Sequence, residues 1–184
     1  MRIEKMGDQE CFDALTRLRF GRLSCARDDQ PYIVPVYFAY NDRHLYSFSM
    51  DGRKIQWMRT NPKACVEADE ITSPVHWLSV LVEGRYEELP DTPDFAFERS
   101  IAYDMLRQRA GWWDPASIVS PPVSGAEAPA PVLYRIHIDE VTGHRAVPDP
   151  AECAVLPAYG SAAPYGGSSP MLRTLRRAFT SFTS

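Results

Sequence analysis

The sequence predicts a mainly β protein: an antiparallel barrel or sandwich decorated by two to four peripheral helices. Three observations lead there. Six segments rich in Val, Ile, Tyr and Phe recur between Arg22 and Asp139, punctuated by Gly, Pro, Asn and Asp. Several of their connections are only a few residues long, which suits antiparallel pairs, since a parallel pair needs a crossover of roughly a dozen residues. Helical spacing of apolar residues is confined to short stretches.

The elements follow in order. Asp8–Leu18 is expected as a helix, with Asp8 as N-cap and Phe12, Leu15 and Leu18 on one face. Phe20-Gly21-Arg22 breaks it. Arg22–Ala26 is a short strand, and Asp28-Asp29-Gln30 turns the chain. Pro31–Tyr40 reads as a second strand, at an edge or bulge because Pro35 lies within it. Asn41-Asp42-Arg43 turns again and His44–Met50 returns. A helix from Arg53 to Thr60 stops at Asn61-Pro62. Lys63–Glu70 and Trp77–Leu89 are two further strands. Asp91-Thr92-Pro93 opens a helix with proline just inside it, and Phe97, Ile101 and Met105 follow at helical intervals. Val132–Asp139 is the sixth strand.

Composition bounds the function. The chain has 184 residues, 45% apolar and 24% charged, as in ordinary globular proteins. Its net charge of −4 argues against a general nucleic-acid binder. No apolar run approaches the ~18–20 residues of a membrane span, and the charged opening Met1-Arg2-Ile3-Glu4-Lys5 leads into no signal core. Cys11, Cys25, Cys65 and Cys153 form no CxxC pair, so they are read as reduced thiols in a cytoplasmic protein, three of them buried as small hydrophobes. His44, His76, His137 and His144 show neither His-x-His nor HExxH spacing, and no metal site is expected. His76, beside Trp77, is read as a surface residue rather than a proton shuttle. His137 is placed facing solvent or a dimer interface.

Ten of the sixteen prolines lie at or after Pro115. Residues 1–147 are therefore taken as the folded domain, with 115–131 a Pro-rich loop inside it. Residues 148–170 are taken as a flexible linker and 171–184 as a basic amphipathic tail. Trp112 and Trp113 are assigned to packing that anchors the Pro-rich loop.

The chemistry concentrates in Tyr46-Ser47-Phe48-Ser49-Met50-Asp51-Gly52-Arg53-Lys54. Alternation puts Ser47 and Ser49 on one strand face. A glycine turn then opens a helix whose first residues are Arg and Lys. Cations are unfavourable at that end of a helix dipole, but free amides there bind anions. A phosphate, gripped bidentately by Arg53 and by Lys54 as a point charge, makes sense of the placement.

Further segments join this one in order: Gly21-Arg22-Leu23-Ser24, Pro31-Tyr32-Ile33-Val34-Pro35-Val36-Tyr37-Phe38, Asn61-Pro62 and Val82-Glu83-Gly84-Arg85. Together they resemble the FMN-binding split-barrel superfamily, in the pyridoxamine 5′-phosphate oxidase-related branch that includes the nitroimidazole-resistance proteins. The resemblance spans roughly residues 5–145. It implies a six-stranded antiparallel split β-barrel of Greek-key type, a homodimer, and FMN in a cleft between subunits. It implies that Arg53 and Lys54 hold the FMN phosphate, and that Ser47 and Ser49 bond phosphate or ribityl oxygens. It implies that the backbone of Pro35, Val36 and Tyr37 lines the isoalloxazine ring, with Ser79 near the flavin and Trp77 packed beside it. The C-terminal Trp-Arg segment with which the true oxidases bind their substrate phosphate is absent, so oxidation of a vitamin B6 compound is not expected.

The functional expectation is an FMN-dependent oxidoreductase acting on an unidentified small molecule. A reduced nicotinamide is the expected electron donor, although no Gly-x-Gly-x-x-Gly fingerprint is present. Three other readings stay open: a non-catalytic flavin store or sensor, a haem-binding split barrel, and a deazaflavin-binding one.

Overall fold

Eight strands and three α-helices make up the computed structural model, which describes residues 1–108 and 131–148. In chain order they are β1 (Arg2–Lys5), α1 (Asp8–Arg17), β2 (Phe20–Arg27), β3 (Gln30–Tyr37), β4 (Ala39–Asn41), β5 (His44–Ser49), α2 (Arg53–Thr60), β6 (Lys63–Ser73), β7 (His76–Glu88), a 3₁₀ turn (Pro93–Phe95), α3 (Ala96–Gln108) and β8 (Val132–Val147). The expected Pro-rich loop, Trp112, Trp113, Cys153, the linker and the basic tail lie outside the described residues. Among the described residues, no helix is long and apolar enough to cross a membrane.

All six expected strands are present, and two short ones join them. Pro31–Tyr40 is split into β3 and β4, with Phe38 in neither strand. Its N–H bonds the Arg19 carbonyl at 2.9 Å and its ring is 1% exposed. β1 is the other addition, zipped onto the end of β8 from Arg2↔Val147 to Lys5↔His144. β8 continues to Val147 rather than stopping at Asp139. At the first helix, Gly7 and not Asp8 is the N-cap, and its N–H donates to Glu10 Oε2 at 2.9 Å. The helix expected after Asp91 begins as a 3₁₀ turn before α3 takes over.

Every strand pair is antiparallel, in the order β3-β2-β6-β7-β8-β5-β4 with β1 on β8. This is a mostly β, antiparallel split barrel. β3 ends the order, so Pro35 sits on an edge strand, where a missing N–H is least costly. Two tight hairpins set the register. Asp28 and Asp29 (φ 52° and 60°) join β2 to β3, and Asp42 and Arg43 (φ 43° and 59°) join β4 to β5. Two successive positive φ values match the twist of the strands they connect.

The barrel interior is filled by Leu23, Val66, Val80, Val82, Ile136 and Ile138, with Ile55 and Met58 of α2 packed into the same cluster. A second cluster lies where α3, through Ala102 and Leu106, covers Ala39, Tyr46 and Leu133. Gly84 sits at a register shift between β7 and β8; a Cβ there would lie 2.1 Å from the His137 carbonyl oxygen, so only glycine lets the strands approach this closely. Cys11 and Cys25 are buried free thiols and Cys65 is partly buried.

Candidate functional site

The start of α2 carries the most distinctive electrostatics. Gly52 is its extended N-cap, and no side chain caps it. Arg53 and Lys54 fill the first turn, which holds no acid. Three features therefore stand together: unfilled helix amides, the positive end of the dipole, and two cations. The Arg53 guanidinium lies 5.4 Å over the Tyr32 ring, and Tyr32 in turn packs 5.5 Å from Trp57. Lys54 is half-buried, and loss of solvent pushes its pKa down from the usual lysine range. Tyr32 is the cross-strand partner of the buried Cys25. Among the described residues, neither Arg53 nor Lys54 is in an ion pair.

The same helix is clamped at its other end. Arg59 donates from Nε and Nη2 to both carboxylate oxygens of Glu88 (2.8 and 2.9 Å) and from Nη1 to Asp51 Oδ2 (2.8 Å). Hydrogen bonds from Arg59 hold the Glu88 carboxyl below the usual carboxylate range, against partial burial. One guanidinium thus ties α2 to β7 and absorbs Asp51, the acid nearest the helix start in sequence. That leaves the N-terminal turn with uncompensated positive charge.

Ser47 and Ser49 share a face, as alternation requires, but they are already engaged. Ser47 is 4% exposed and donates to the Tyr37 carbonyl at 2.7 Å. Its proton is therefore unavailable to a phosphate. Ser49, at the rim, donates to the Met50 carbonyl at 2.8 Å. Tyr134, the cross-strand partner of Ser47, is fully buried, and among the described residues its hydroxyl meets no partner in full hydrogen-bond geometry. Burial raises its pKa.

The remaining expected residues occupy a different surface. Trp77 and Ser79 project from β7 into a concavity of about 390 Å³ shared with Arg22, Glu67, Asp69 and Ile71. Ser79 donates to Glu67 Oε1 at 2.8 Å. Arg22 bonds Glu67 at 3.0 Å and also pairs with Asp69. Pro35 is exposed opposite Arg22 in the ladder and belongs to this outer face. Val36 points into the core, and Tyr37 meets Phe20 edge-on at 6.0 Å. The nine expected residues thus divide between the start of α2 with its barrel rim, and the outer sheet.

Sequence reasoning passed over a third feature. A concavity of about 630 Å³ is lined by Ser24, Ala26, Asn61, Lys63, Cys65 and Arg85 among others, and contains none of the nine. The Asn61-Pro62 signal was visible as a helix stop. Asn61 also donates from Nδ2 to the Ala26 carbonyl at 2.9 Å, pinning the end of α2 to β2. No cluster of three or more metal-capable side chains is found among the described residues.

The fold is that of a split barrel, with an acid-free, cationic helix start at its rim. The pyridoxamine 5′-phosphate oxidase family model matches residues 7–145, and the chain belongs to that family. An uncharacterized protein, RA0666, from Rhizobium meliloti (strain 1021) is 40% identical over 146 residues, covering 79% of this chain and 97% of its own. The crystal structure of an FAD-binding protein (mll6688) from Mesorhizobium loti is 44% identical, with a TM-score of 0.67 over 80% of this chain and all of that one. The structure of a candidate 5-nitroimidazole antibiotic resistance protein from Bacteroides thetaiotaomicron shares the fold at 16% identity, with a TM-score of 0.57 over 79% of this chain and 89% of that one.

Proposed function

We propose that this protein binds a flavin nucleotide by its phosphate at the start of α2 and serves as an FMN-dependent oxidoreductase. One observation carries the reading: an acid-free helix N-terminus bearing Arg53 and Lys54, neither ion-paired among the described residues, in a chain of the pyridoxamine 5′-phosphate oxidase family that is 44% identical to an FAD-binding protein. The donor set fits a phosphate, since it offers a planar fork, a point charge and backbone amides with no competing carboxylate. When bound, a flavin supplies the hydride and electron chemistry, and the protein supplies anchoring and a cleft. Arg53 and Lys54 hold the phosphate, Ser49 sits at the rim beside it, and the edge backbone of Pro35, Val36 and Tyr37 faces the ring. Trp77 and Ser79, which line a concavity apart from the start of α2, would meet that ring from the second subunit of a homodimer. A small-molecule substrate and a reduced nicotinamide are its reaction partners.

The name of the 44% identical FAD-binding protein favours a second reading, in which the same cations grip a pyrophosphate. Binding of riboflavin, FMN and FAD to the purified chain, followed by flavin fluorescence, tests both. The phosphate reading expects FMN to bind far more tightly than riboflavin, and expects Arg53→Ala with Lys54→Ala to erase that preference. Equal affinity for riboflavin and FMN in the unaltered chain would overturn it. Tighter binding of FAD than FMN would select the second reading.

A further inference from the structure

The register of β5 on β8 sets His44 directly opposite His137, although the two lie too far apart in the chain for any spacing motif to connect them. The Ile138 N–H donates to the Arg43 carbonyl at 2.9 Å. Ladder alternation then makes 44/137 a pair without mutual backbone hydrogen bonds, the kind in which side chains approach most closely. The imidazole centroids are 5.1 Å apart, with ring planes at 82°.

Both rings have their Nδ1 atoms committed. His44 Nδ1 lies 2.7 Å from the Asp42 carbonyl oxygen, which can only accept, so Nδ1 carries the proton. His137 Nδ1 lies 3.1 Å from Asp139 Oδ1, a carboxylate held in turn by Arg85 through Nε at 2.9 Å and Nη2 at 2.7 Å. In the neutral rings, each Nε2 is left with its lone pair. A partner oxygen on the other ring nitrogen is the arrangement that metal-binding histidines use to fix their tautomer. Two imidazoles sharing one ion at about 2.0–2.1 Å from each nitrogen would place their centroids roughly 5 Å apart, which matches this pair.

The surroundings suit a cation. Arg85 is neutralised by Asp139, and Arg135 by Glu87. A concavity of about 350 Å³ lined by Pro62, Arg85, Tyr86, Glu87 and His137 leaves room for further ligands.

We propose that His44 and His137 form a two-nitrogen site for a divalent transition-metal ion, with its other positions open to water or a small ligand. Asp139 is a positioning residue that orients His137. Nitrogen donors of this kind select copper and zinc over magnesium or calcium, with copper bound most tightly.

The test uses the untagged full chain, stripped with a chelator and titrated with Cu(II) and separately Zn(II) against a chromophoric competitor. Copper resonance spectra report how many nitrogens bind. The expected result is one ion per chain, two imidazole nitrogens, and a tenfold or greater loss of affinity in either His44→Gln or His137→Gln. Asp139→Asn should weaken binding by about tenfold without removing a nitrogen from the spectrum. His76→Gln with His144→Gln should change nothing. Unchanged affinity in His44→Gln and His137→Gln, or an equal loss in the His76/His144 variant, would overturn the proposal. Thermal melts of each variant distinguish lost binding from lost folding.

Discussion

The first turn of α2 and the outer face of β7 are both charged, yet they handle charge in opposite ways. On the outer face the charges pair within the sheet: Arg22 with Glu67 and Asp69, while the Ser79 hydroxyl also donates to Glu67. At α2 the cations stand without described counter-ions, and the nearest acid in the chain is drawn off by Arg59. Self-neutralised charge is structural and screened. Charge left uncompensated at a helix N-terminus is directed at something outside the chain. Four perturbations sharpen or break this contrast.

The largest effect is expected at α2. Arg53→Ala with Lys54→Ala should cost roughly 3 kcal/mol or more of flavin binding, at least about a hundredfold in Kd, since each charge-assisted contact is worth about 1.5–3 kcal/mol. The melting temperature should hardly move. A fall in melting temperature with unchanged Kd would reverse the assignment of the two regions.

Gly21→Ala is the complementary break in the sheet. Its Cβ would meet the Glu67 carbonyl oxygen at 2.7 Å, pushing β2 away from β6 beneath the Arg22–Glu67 pair. Destabilisation of about 1–3 kcal/mol is expected, read by denaturant unfolding, while the folded fraction keeps its flavin affinity.

Arg59→Ala should act on both stability and binding, weakly. Losing the clamp should cost about 1 kcal/mol, given how exposed the pair is, and should raise the flavin Kd a few-fold by loosening the helix. The sign of the pH effect follows from Glu88. Its carboxyl titrates lower in the folded chain than its ordinary 4.5, so the clamp is intact above that value and lost as pH falls through the folded pKa. The stability gap between the unaltered chain and Arg59→Ala should therefore narrow as pH falls below 4.5 and on through the folded pKa, measured by thermal melts. A gap that persists in acid would assign the effect to packing of the arginine stem.

Glu67→Gln should be the mildest. It weakens one exposed pair and one serine bond, worth less than about 1 kcal/mol. Flavin affinity in a monomeric state should not change. If it falls only under dimerising conditions, checked by sedimentation alongside binding, then the outer face belongs to the shared cleft.

Much of this architecture was readable in the residues. Gly52 and Pro62 punctuate α2 so sharply that its bounds, Arg53–Thr60, match the expectation residue for residue. The proline in Pro31–Tyr40 marked an edge strand, which β3 is. The misses have local causes. Arg2-Ile3-Glu4-Lys5 is too short and charged to read as a strand, and becomes one only because β8 offers a ladder. The last strand is expected to stop at Asp139, yet β8 runs on through Gly143, which serves close packing: a Cβ there would lie 2.6 Å from Cys11 Sγ. At the site, alternation could place Ser47 and Ser49 on one face but could not show that the Ser47 proton is spent on Tyr37. Nor could it show that Trp77 and Ser79 lie on another surface from Arg53. Both depend on cross-strand register, which is also why the His44–His137 pairing is invisible along the chain.

β8 touches β7 on one side along its length, and β5 and then β1 on the other. During synthesis this matters. Until residues 132–147 have left the ribosome, β1, β5 and β7 must each wait with an open edge, and the nascent chain cannot close its barrel. Such edges invite pairing with other chains. A pause or truncation before that segment would therefore release an adhesive, unfinished sheet rather than a smaller version of the protein.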